Sequence, residues 1–278
     1  MNISGKTKVV AIFGDPIGHT LSPAMHNAAF AASGLDFIYV PFNVKPDSLG
    51  DAIKGIRAMG FAGANITVPH KEAVIKYLDA VDAEAKLVGA VNTIVNRGGV
   101  LSGYNTDGRG FVRAAAEGVG FEPSGKRVFI CGAGGAARGV GFALAAAGAK
   151  EIIFSDIDAV RRDRLVADIN AAYPGTAVSG GADAGTIRDA DLAVNATPRG
   201  MKASDGSPMP DGSFRAGQAF ADLVYNPPKT NAMDAAQAAG AKVMNGLGML
   251  LWQGALAYEL WTGAAPDMSA MKEAVKHF

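Results

Sequence analysis

The sequence predicts an α/β protein of two domains with mainly parallel sheets. Short apolar runs of strand type alternate with longer helical runs along almost the whole chain, which is the pattern of consecutive βαβ units. A glycine-rich turn between a strand and a helix lies near the middle, and residues 1–126 before it show the same alternation. The 278 residues, 49% of them hydrophobic, suffice for one large or two ordinary domains.

The first part of the chain alternates strands and helices in a regular order. Apolar runs bounded by glycine, proline or polar residues predict strands over 8–13, 37–42 and 63–67. Helices are predicted over 22–33, over 46–60 and over a segment that follows Pro69. Prolines at the starts of these segments favour the first turn of a helix.

A hairpin is predicted next, because two β-type runs at 90–96 and 100–104 are separated by Gly98 and Gly99. Two glycines accommodate the positive φ values of a tight hairpin turn. A helix then begins at residues 105–108 and ends near Gly120. The turn formers at 123–125 indicate a domain boundary.

The glycine-rich turn follows an apolar strand at 127–131 and opens a helix. This order is the one that a dinucleotide-binding unit needs. Gly132 permits the tight turn, Gly134 lets the backbone approach a pyrophosphate, and Ala137 allows the helix to pack on the sheet. The helix N-terminus would then offer its N–H groups to the phosphates.

Asp156 supports the same interpretation, since it follows the next apolar run at 151–154 and lies about 20 residues beyond the turn. A carboxylate at that place hydrogen-bonds the ribose hydroxyls of the adenosine. The alternative is that Asp156 only caps the following helix. The surrounding strand, turn and helix favour cofactor binding.

Strand and helix patterns continue to the end of the chain. Strands are predicted over 191–195, 219–224 and 241–244. Helices are predicted over 231–239, 249–262 and 268–277.

Composition excludes several classes of function. Lys plus Arg equals Asp plus Glu at 26 each, so no basic excess points to nucleic acid or to an anionic membrane. Cys131 is the single cysteine and is expected to be buried in its strand; a disulfide framework is excluded, and we expect a cytoplasmic protein. We find no secretory signal and no membrane span. The four histidines lack metal-ligand spacing, so no metal is expected.

Lys71 is the most informative single residue of the first half. The prediction places it in the first turn of a helix, where a cation faces the positive end of the dipole at a cost of roughly 0.3–1 kcal/mol. A lysine that transfers protons benefits there, because the dipole favours its neutral amine. The alternative is a solvated lysine balanced by Glu72, and the local sequence does not choose between the two.

Asp107 differs from Lys71 in this respect, because a carboxylate at a helix start is favourable as an N-cap. Four further polar residues, Thr20, Ser22, Thr67 and Asn92, lie at strand ends and loop starts. Each alone is typical of a turn, and Ser22 is explained by an N-cap role. Together they suit a polyhydroxylated substrate with a carboxylate.

Seven segments of the chain resemble the shikimate dehydrogenase family. They occur in order over nearly the whole chain and are specific in combination. They are residues 14–23, 65–71, 89–93, 105–108, 132–136, 194–198 and 246–254.

The resemblance implies a substrate-binding and catalytic domain of residues 1–107 and 246–278, and a Rossmann-type dinucleotide-binding domain of residues 108–245. It implies reversible oxidation of the C3 hydroxyl of shikimate to 3-dehydroshikimate with NAD or NADP, and quinate as a further candidate substrate. Lys71 would exchange the hydroxyl proton, and Asp107 would hold Lys71 and that hydroxyl.

The resemblance also assigns binding residues. Thr20 and Ser22 would bind the substrate carboxylate. The rest of the substrate pocket would be lined by Thr67, Asn92, Tyr225 and Gln253. Cofactor contacts would come from Gly132, Gly134, Gly135, Ala136, Asp156, Thr197, Leu223 and Gly246.

Three positions depart from the family pattern. Thr20 stands where biosynthetic members usually have serine, and its methyl group would crowd the carboxylate site. Asn245 stands where an aspartate is common. Asp156 lies where NADP-using members carry an arginine for the 2′-phosphate, so it favours NAD, although Arg161 or Arg162 could still reach a phosphate.

Two other functions are compatible with the sequence. One is a related dehydrogenase of another hydroxylated ring acid, such as an amino-shikimate. The other is a sensor that binds the cofactor without turnover, which the presence of both Lys71 and Asp107 disfavours. We expect a monomer or a homodimer.

Overall fold

The computed structural model of the protein describes residues 3–181, 183–202 and 204–277. The chain forms two compact units. Unit 1 holds the chain up to Thr106 and the chain from Gln253 onward, and unit 2 is Asp107–Trp252. The sequence places the second domain boundary at 246 instead, and the assignment of substrate and cofactor functions to the two parts remains a proposal.

Unit 1 is built on a six-stranded sheet. Its strands are β1 (Lys8–Gly14), β2 (Phe37–Asn43), β3 (Gly63–Ile66), β4 (Ala80–Val81), β5 (Thr93–Arg97) and β6 (Val100–Tyr104). Its helices are α1 (Ser22–Ala32), α2 (Leu49–Ala58), α3 (Ala83–Val88), the second part of α9 (Leu247–Thr262), and α10 (Met268–Ala274). Two 3-10 helices lie at Pro46–Ser48 and Ala73–Tyr77.

The strand order in unit 1 is β2-β1-β3-β5-β6-β4. β1 pairs in parallel with β2 and β3, while β5 pairs antiparallel with β3 and β6. The predicted hairpin is confirmed, and Gly98 and Gly99 adopt φ values of 62° and 90°. Because β5 runs opposite to β3, the residues just before β5 lie at the same sheet edge as those just after β1 and β3.

One predicted element of unit 1 is wrong. The segment after Pro69 does not form an α-helix; Lys71 lies in a turn that precedes the short 3-10 helix Ala73–Tyr77. The segment ends where Asp79 pairs with Leu101 through both its backbone N–H and its carboxylate. Lys71 is therefore not in the first turn of an α-helix, and the expected effect of a helix dipole on Lys71 is wrong.

Unit 2 contains a second six-stranded sheet. Its strands are β7 (Arg127–Cys131), β8 (Glu151–Ser155), β9 (Ala177–Gly180), β10 (Leu192–Asn195), β11 (Ala219–Asp222) and β12 (Lys242–Met244). Its helices are α4 (Asp107–Val119), α5 (Gly135–Ala146), α6 (Ala159–Ala172), α7 (Ala184–Asp189), α8 (Asn231–Ala238) and the start of α9.

The strand order in unit 2 is β12-β11-β10-β7-β8-β9, and neighbouring strands pair in parallel. This is the doubly wound Rossmann order, with the switch point between β7 and β10. Helix α5 packs closely on the sheet, since Ala137 is fully buried and a Cβ at Gly141 would lie 2.6 Å from the ring of Phe154. The glycine-rich turn thus leads from the central strand to the switch point, as the sequence predicts.

Candidate active site

The backbone around Lys71 is held by hydrogen bonds to three neighbouring segments of unit 1. The N–H of Thr67 donates to the carbonyl of Phe13 at 2.9 Å, which fixes the chain at the end of β3. His70 is buried, and its Nε2 lies 2.6 Å from the carbonyl oxygen of Val44. The carbonyl of Lys71 accepts from the N–H of Val91 at 2.8 Å. The turn is therefore fixed in position by contacts far apart in sequence.

Asn92 is the centre of a buried polar group next to that turn. Its side chain is 2% exposed. Oδ1 accepts from the N–H of Thr106 at 2.9 Å, and Nδ2 donates to Oγ1 of Thr106 at 2.9 Å. Nδ2 also lies 3.4 Å from Oε1 of Gln253 on α9. The fold thus brings together two predicted substrate residues that are 161 positions apart.

Thr20 and Ser22 lie together in the loop that follows β1. Oγ1 of Thr20 accepts from the N–H of Ser22 at 3.3 Å. Ser22 is the first residue of α1 and is 4% exposed, while Leu21 occupies the N-cap without a side-chain hydrogen bond. The interpretation of Ser22 as an N-cap is therefore wrong. Since β1 and β3 are parallel neighbours, Thr20, Ser22 and Thr67 follow strand ends at one edge of the sheet.

Asp107 is the first residue of α4 and belongs to unit 2, where it is 6% exposed. The start of α4 packs tightly on α5, because a Cβ at Gly108 would overlap the carbonyl of Gly139. A carboxylate at a helix start is also favourable in itself. A role in helix stability therefore stays open beside the catalytic role that the resemblance implies.

The glycine-rich turn has the features of a phosphate-binding loop. Gly132 adopts φ +110°, and a Cβ there would lie 2.9 Å from the carbonyl oxygen of Ala196, so the fold itself requires glycine. Gly134 is the N-cap of α5 with φ −77°, a conformation open to any residue. A Cβ at Gly134 or Gly135 would meet nothing within 4 Å. A side chain there would fill the space before the N-terminus of α5, so glycine leaves room for a phosphate group beside Ala136.

Asp156 lies beside the glycine-rich turn rather than at the cap of α6. Its Oδ2 accepts from the N–H of Ala133 at 2.6 Å, and its Oδ1 accepts from the N–H of Asp158 at 2.8 Å. Asp158 is the residue that caps α6, through the N–H of Arg161 at 3.0 Å. The capping interpretation of Asp156 is therefore wrong. The guanidinium of Arg161 lies 3.4 Å from Oδ1 of Asp156 and 3.8 Å from Oδ2 of Asp158. The guanidinium of Arg162 pairs with the carboxylate of Asp163.

The remaining predicted cofactor residues, Thr197, Leu223 and Gly246, follow β10, β11 and β12. Thr197 donates from both its N–H and its Oγ1 to Oδ1 of Asn195. Gly246 approaches Leu223 so closely that a Cβ would overlap the carbonyl of Leu223. Asn245 has a local explanation, because its Oδ1 accepts from the N–H of Leu247 at the start of α9.

Asp222 is a buried carboxylate that sequence reasoning missed. It is the last residue of β11 and fully buried. It accepts hydrogen bonds from the Asn195 amide at 2.8 Å, the Thr230 hydroxyl at 2.7 Å and the Val224 N–H at 3.0 Å. It therefore joins the loops that carry Thr197 and Leu223. The available signal was a carboxylate at the end of an otherwise apolar strand.

Burial raises the pKa of the Asp222 carboxyl, although its three hydrogen bonds lower it. Because the carboxyl binds its proton more tightly in the folded protein than in the unfolded chain, protonation of Asp222 stabilises the fold. This contribution is complete below the unfolded pKa of about 4 and is lost as the pH rises through the folded pKa. We expect Asp222→Ala to lower the free energy of unfolding by roughly 2–4 kcal/mol at acid pH and by less at neutral pH.

Urea unfolding at several pH values measures this difference. Asp183→Ala is the contrasting control, because the pKa of the exposed Asp183 is lowered by its backbone hydrogen bond from Thr186, so that its contribution disappears on acidification. A stability loss in Asp222→Ala that grows towards neutral pH would contradict a raised pKa of Asp222.

Cys131 is only partly buried, so the expectation of a buried thiol is wrong. It is the last residue of β7, and its Sγ lies 3.8 Å from the carbonyl oxygen of Pro208 in a loop. Burial raises the pKa of this thiol to about 11.

Among the residues that the structure describes, no group of three His, Cys, Asp or Glu side chains is arranged to hold a metal ion. Within that same part of the chain, no helix is long and apolar enough to cross a bilayer.

Comparisons with known proteins agree with the fold. Residues 12–94 match the shikimate dehydrogenase substrate binding domain, and residues 246–276 match the shikimate 5'-dehydrogenase C-terminal domain. The shikimate dehydrogenase (NADP(+)) of Moorella thermoacetica is 47% identical over 281 residues, with 99% of this chain and 95% of the relative covered.

Two solved structures are similar over nearly their full length. Shikimate 5-dehydrogenase from Listeria monocytogenes, in complex with shikimate and NAD, has a TM-score of 0.93 at 38% identity, with 98% of each chain covered. Quinate dehydrogenase from Corynebacterium glutamicum, in complex with NAD, has a TM-score of 0.90 at 34% identity, with 98% of this chain and 99% of that chain covered. From the sequence identity, the matched domains and the common fold, the chain belongs to the shikimate dehydrogenase family.

Proposed function

We propose that the protein catalyses the reversible oxidation of the C3 hydroxyl of shikimate to 3-dehydroshikimate with a nicotinamide dinucleotide. The observation that carries this proposal is the gathering of polar side chains at one sheet edge of unit 1. Thr20 and Ser22 follow β1, Thr67 follows β3, and Asn92 precedes β5 in contact with Gln253. Hydroxyl and amide groups of this kind match a ring acid with several hydroxyls.

Lys71 is the proposed proton-transfer group. A nicotinamide dinucleotide held by unit 2 would supply the hydride acceptor for the carbinol carbon. The amine of Lys71 takes the proton from the hydroxyl oxygen during oxidation and returns it during reduction. Asp107 assists the same transfer, as the family resemblance implies. The anchored backbone of the 67–71 turn supports this role, since a proton-transfer group must be held in a fixed place.

The other residues have binding roles in this proposal. Thr20 and Ser22 bind the carboxylate of the substrate, while Thr67, Asn92, Tyr225 and Gln253 line the rest of the substrate pocket. The glycine-rich turn and the start of α5 hold the pyrophosphate through Gly132, Gly134, Gly135 and Ala136. Thr197, Leu223 and Gly246 complete the cofactor site.

The reaction is tested by measuring initial rates of nicotinamide reduction for shikimate and quinate, each with NAD and NADP. Turnover of shikimate is expected in at least one combination. Quinate is a candidate second substrate because a quinate dehydrogenase is among the similar structures. A protein that binds the dinucleotide but oxidises neither acid would contradict the proposal and favour a sensor or a dehydrogenase of another ring acid.

We infer a preference for NAD from Asp156 and Asp158, because a 2′-phosphate on the ribose would meet two carboxylates. The NADP name of the Moorella relative argues for the other cofactor. Replacing Asp156 with Ala is expected to lower the ratio of kcat/KM for NAD to that for NADP about tenfold, since it removes a ribose hydrogen bond and a repulsive charge.

Arg161→Ala is the companion variant, because Arg161 is the cation nearest to both carboxylates. It should leave NAD turnover nearly unchanged. An unchanged ratio in Asp156→Ala together with a loss of NADP turnover in Arg161→Ala would assign the site to NADP. A cytoplasmic location and a monomeric or homodimeric state remain predictions.

A further inference from the structure

A continuous chain of side-chain hydrogen bonds crosses the sheet of unit 1. The hydroxyl of Tyr39 on β2 donates to Oδ1 of Asn65 on β3 at 2.6 Å. Nδ2 of Asn65 donates to Oγ1 of Thr93 on β5 at 3.1 Å, and that hydroxyl donates to Oδ1 of Asn92 at 2.9 Å. All four residues are at most 5% exposed. Buried polar groups of this kind fix one arrangement, because each broken link leaves an unsatisfied partner.

One end of this chain is a residue with a proposed substrate role. Asn92 contacts Gln253, which has a proposed substrate role as well. The phenol of Tyr39 is thus connected through Asn65 and Thr93 to the residues proposed to contact the substrate hydroxyl groups.

The ring of Tyr39 is itself held firmly. His26, one helical turn after Ser22, stacks on it with centroids 4.5 Å apart and an interplanar angle of 12°. Trp261 packs nearby, with its ring centroid 6.1 Å from that of Tyr39. Burial raises the pKa of Tyr39, so the phenol remains a neutral donor, and burial lowers the pKa of His26 to about 3. Neither ring nitrogen of His26 has a hydrogen-bond partner within the described part of the chain, which leaves His26 as a neutral stacking surface.

We propose that Tyr39 is a positioning residue for substrate recognition, which sets the Asn92 amide in one binding arrangement through Asn65 and Thr93. This inference rests on the proposed function. A side-chain amide can turn over and exchange its oxygen and its nitrogen unless its partners select one orientation. The phenol of Tyr39 donates to Oδ1 of Asn65, so removal of the Tyr39 hydroxyl leaves this buried acceptor without its donor and loosens the chain that ends at Asn92.

Tyr39→Phe tests this role. We expect a three- to tenfold rise in KM for shikimate, the loss expected for about one hydrogen bond. We expect kcat and the KM for the dinucleotide to stay within about twofold of wild type, because the proton-transfer group and unit 2 are unchanged. A rise in KM without a fall in kcat distinguishes binding orientation from damaged chemistry.

Tyr258→Phe is the matched control. Tyr258 is also fully buried in unit 1, and its hydroxyl contacts a serine, Ser33, at 2.9 Å, but its described hydrogen bonds include none to the proposed substrate residues. Its removal should change stability in a similar way and leave the KM for shikimate at the wild-type value. Equal KM values in the two variants would overturn the proposal.

A double-mutant cycle with Thr93→Val shows whether Tyr39 acts through the chain to Asn92. The double variant should raise KM by less than the product of the two single effects, and a full product would overturn the proposal. If Tyr39→Phe fails to fold, Thr93→Val carries the same expectation, and an unchanged KM there would count against it. A wild type that does not oxidise shikimate would instead overturn the proposed function on which the inference rests.

Discussion

Lys71→Ala is expected to lower kcat for shikimate oxidation by about 10³-fold, within the range typical of a removed general acid–base group. The expected loss follows from chemistry and from position. The hydroxyl proton must leave as the hydride departs, and the hydrogen bonds of the turn at residues 67–71 fix the backbone from which the Lys71 side chain extends. Affinity for the dinucleotide should stay nearly unchanged, because the glycine-rich turn belongs to unit 2. Single-turnover rates and cofactor titration measure the two quantities separately.

Lys76→Ala is the control for this variant. Lys76 lies in the adjoining 3-10 helix, with its ammonium 5.0 Å from the ring centroid of Tyr77, so its loss removes a lysine from the same segment without touching the turn. It should retain wild-type kcat. Added primary amines of small size should restore part of the activity of Lys71→Ala. Turnover of Lys71→Ala within about threefold of wild type would remove Lys71 from the mechanism.

Asp107→Asn is expected to lower kcat by about 10²-fold with little loss of stability. Asparagine keeps the size of the side chain, and the lost interaction of the negative charge with the start of the helix is worth only about 0.3–1 kcal/mol, so helix α4 should persist. The negative charge that assists proton transfer is lost. This variant therefore separates the catalytic role of Asp107 from the structural one, which the geometry of unit 2 leaves open. Steady-state kinetics and thermal unfolding give the two readouts.

Asp267→Asn supplies the matched control, since Asp267 caps α10 through the N–H groups of Ser269 and Ala270. Both variants should unfold within about 1 kcal/mol of wild type. Only Asp107→Asn should lose turnover. If Asp107→Asn keeps wild-type kcat, Asp107 only stabilises the start of α4, and the catalytic role that the family resemblance implies does not apply to it.

Local sequence determined the α/β class, the hairpin and the glycine-rich turn. These features depend on short-range physics: strand and helix periodicity, and the φ values that glycines such as Gly98, Gly99 and Gly132 alone adopt without strain. The doubly wound sheet of unit 2 follows from the same signals, because each parallel crossover needs its helix. The motifs that occur in order over nearly the whole chain indicated the shikimate dehydrogenase family.

The tertiary structure decided what depends on distant partners. Lys71 appears helical in sequence because Pro69 precedes it, yet the segment that follows forms only the 3-10 helix Ala73–Tyr77 and then pairs with Leu101 through Asp79. The meeting of Asn92 with Gln253 is invisible to any local pattern, since β5 and α9 meet only after the sheet has formed. The same holds for the buried links of Tyr39 and Asp222. Hydrogen bonds between distant segments are selected by packing, so a sequence names the candidate residues while the fold determines their contacts.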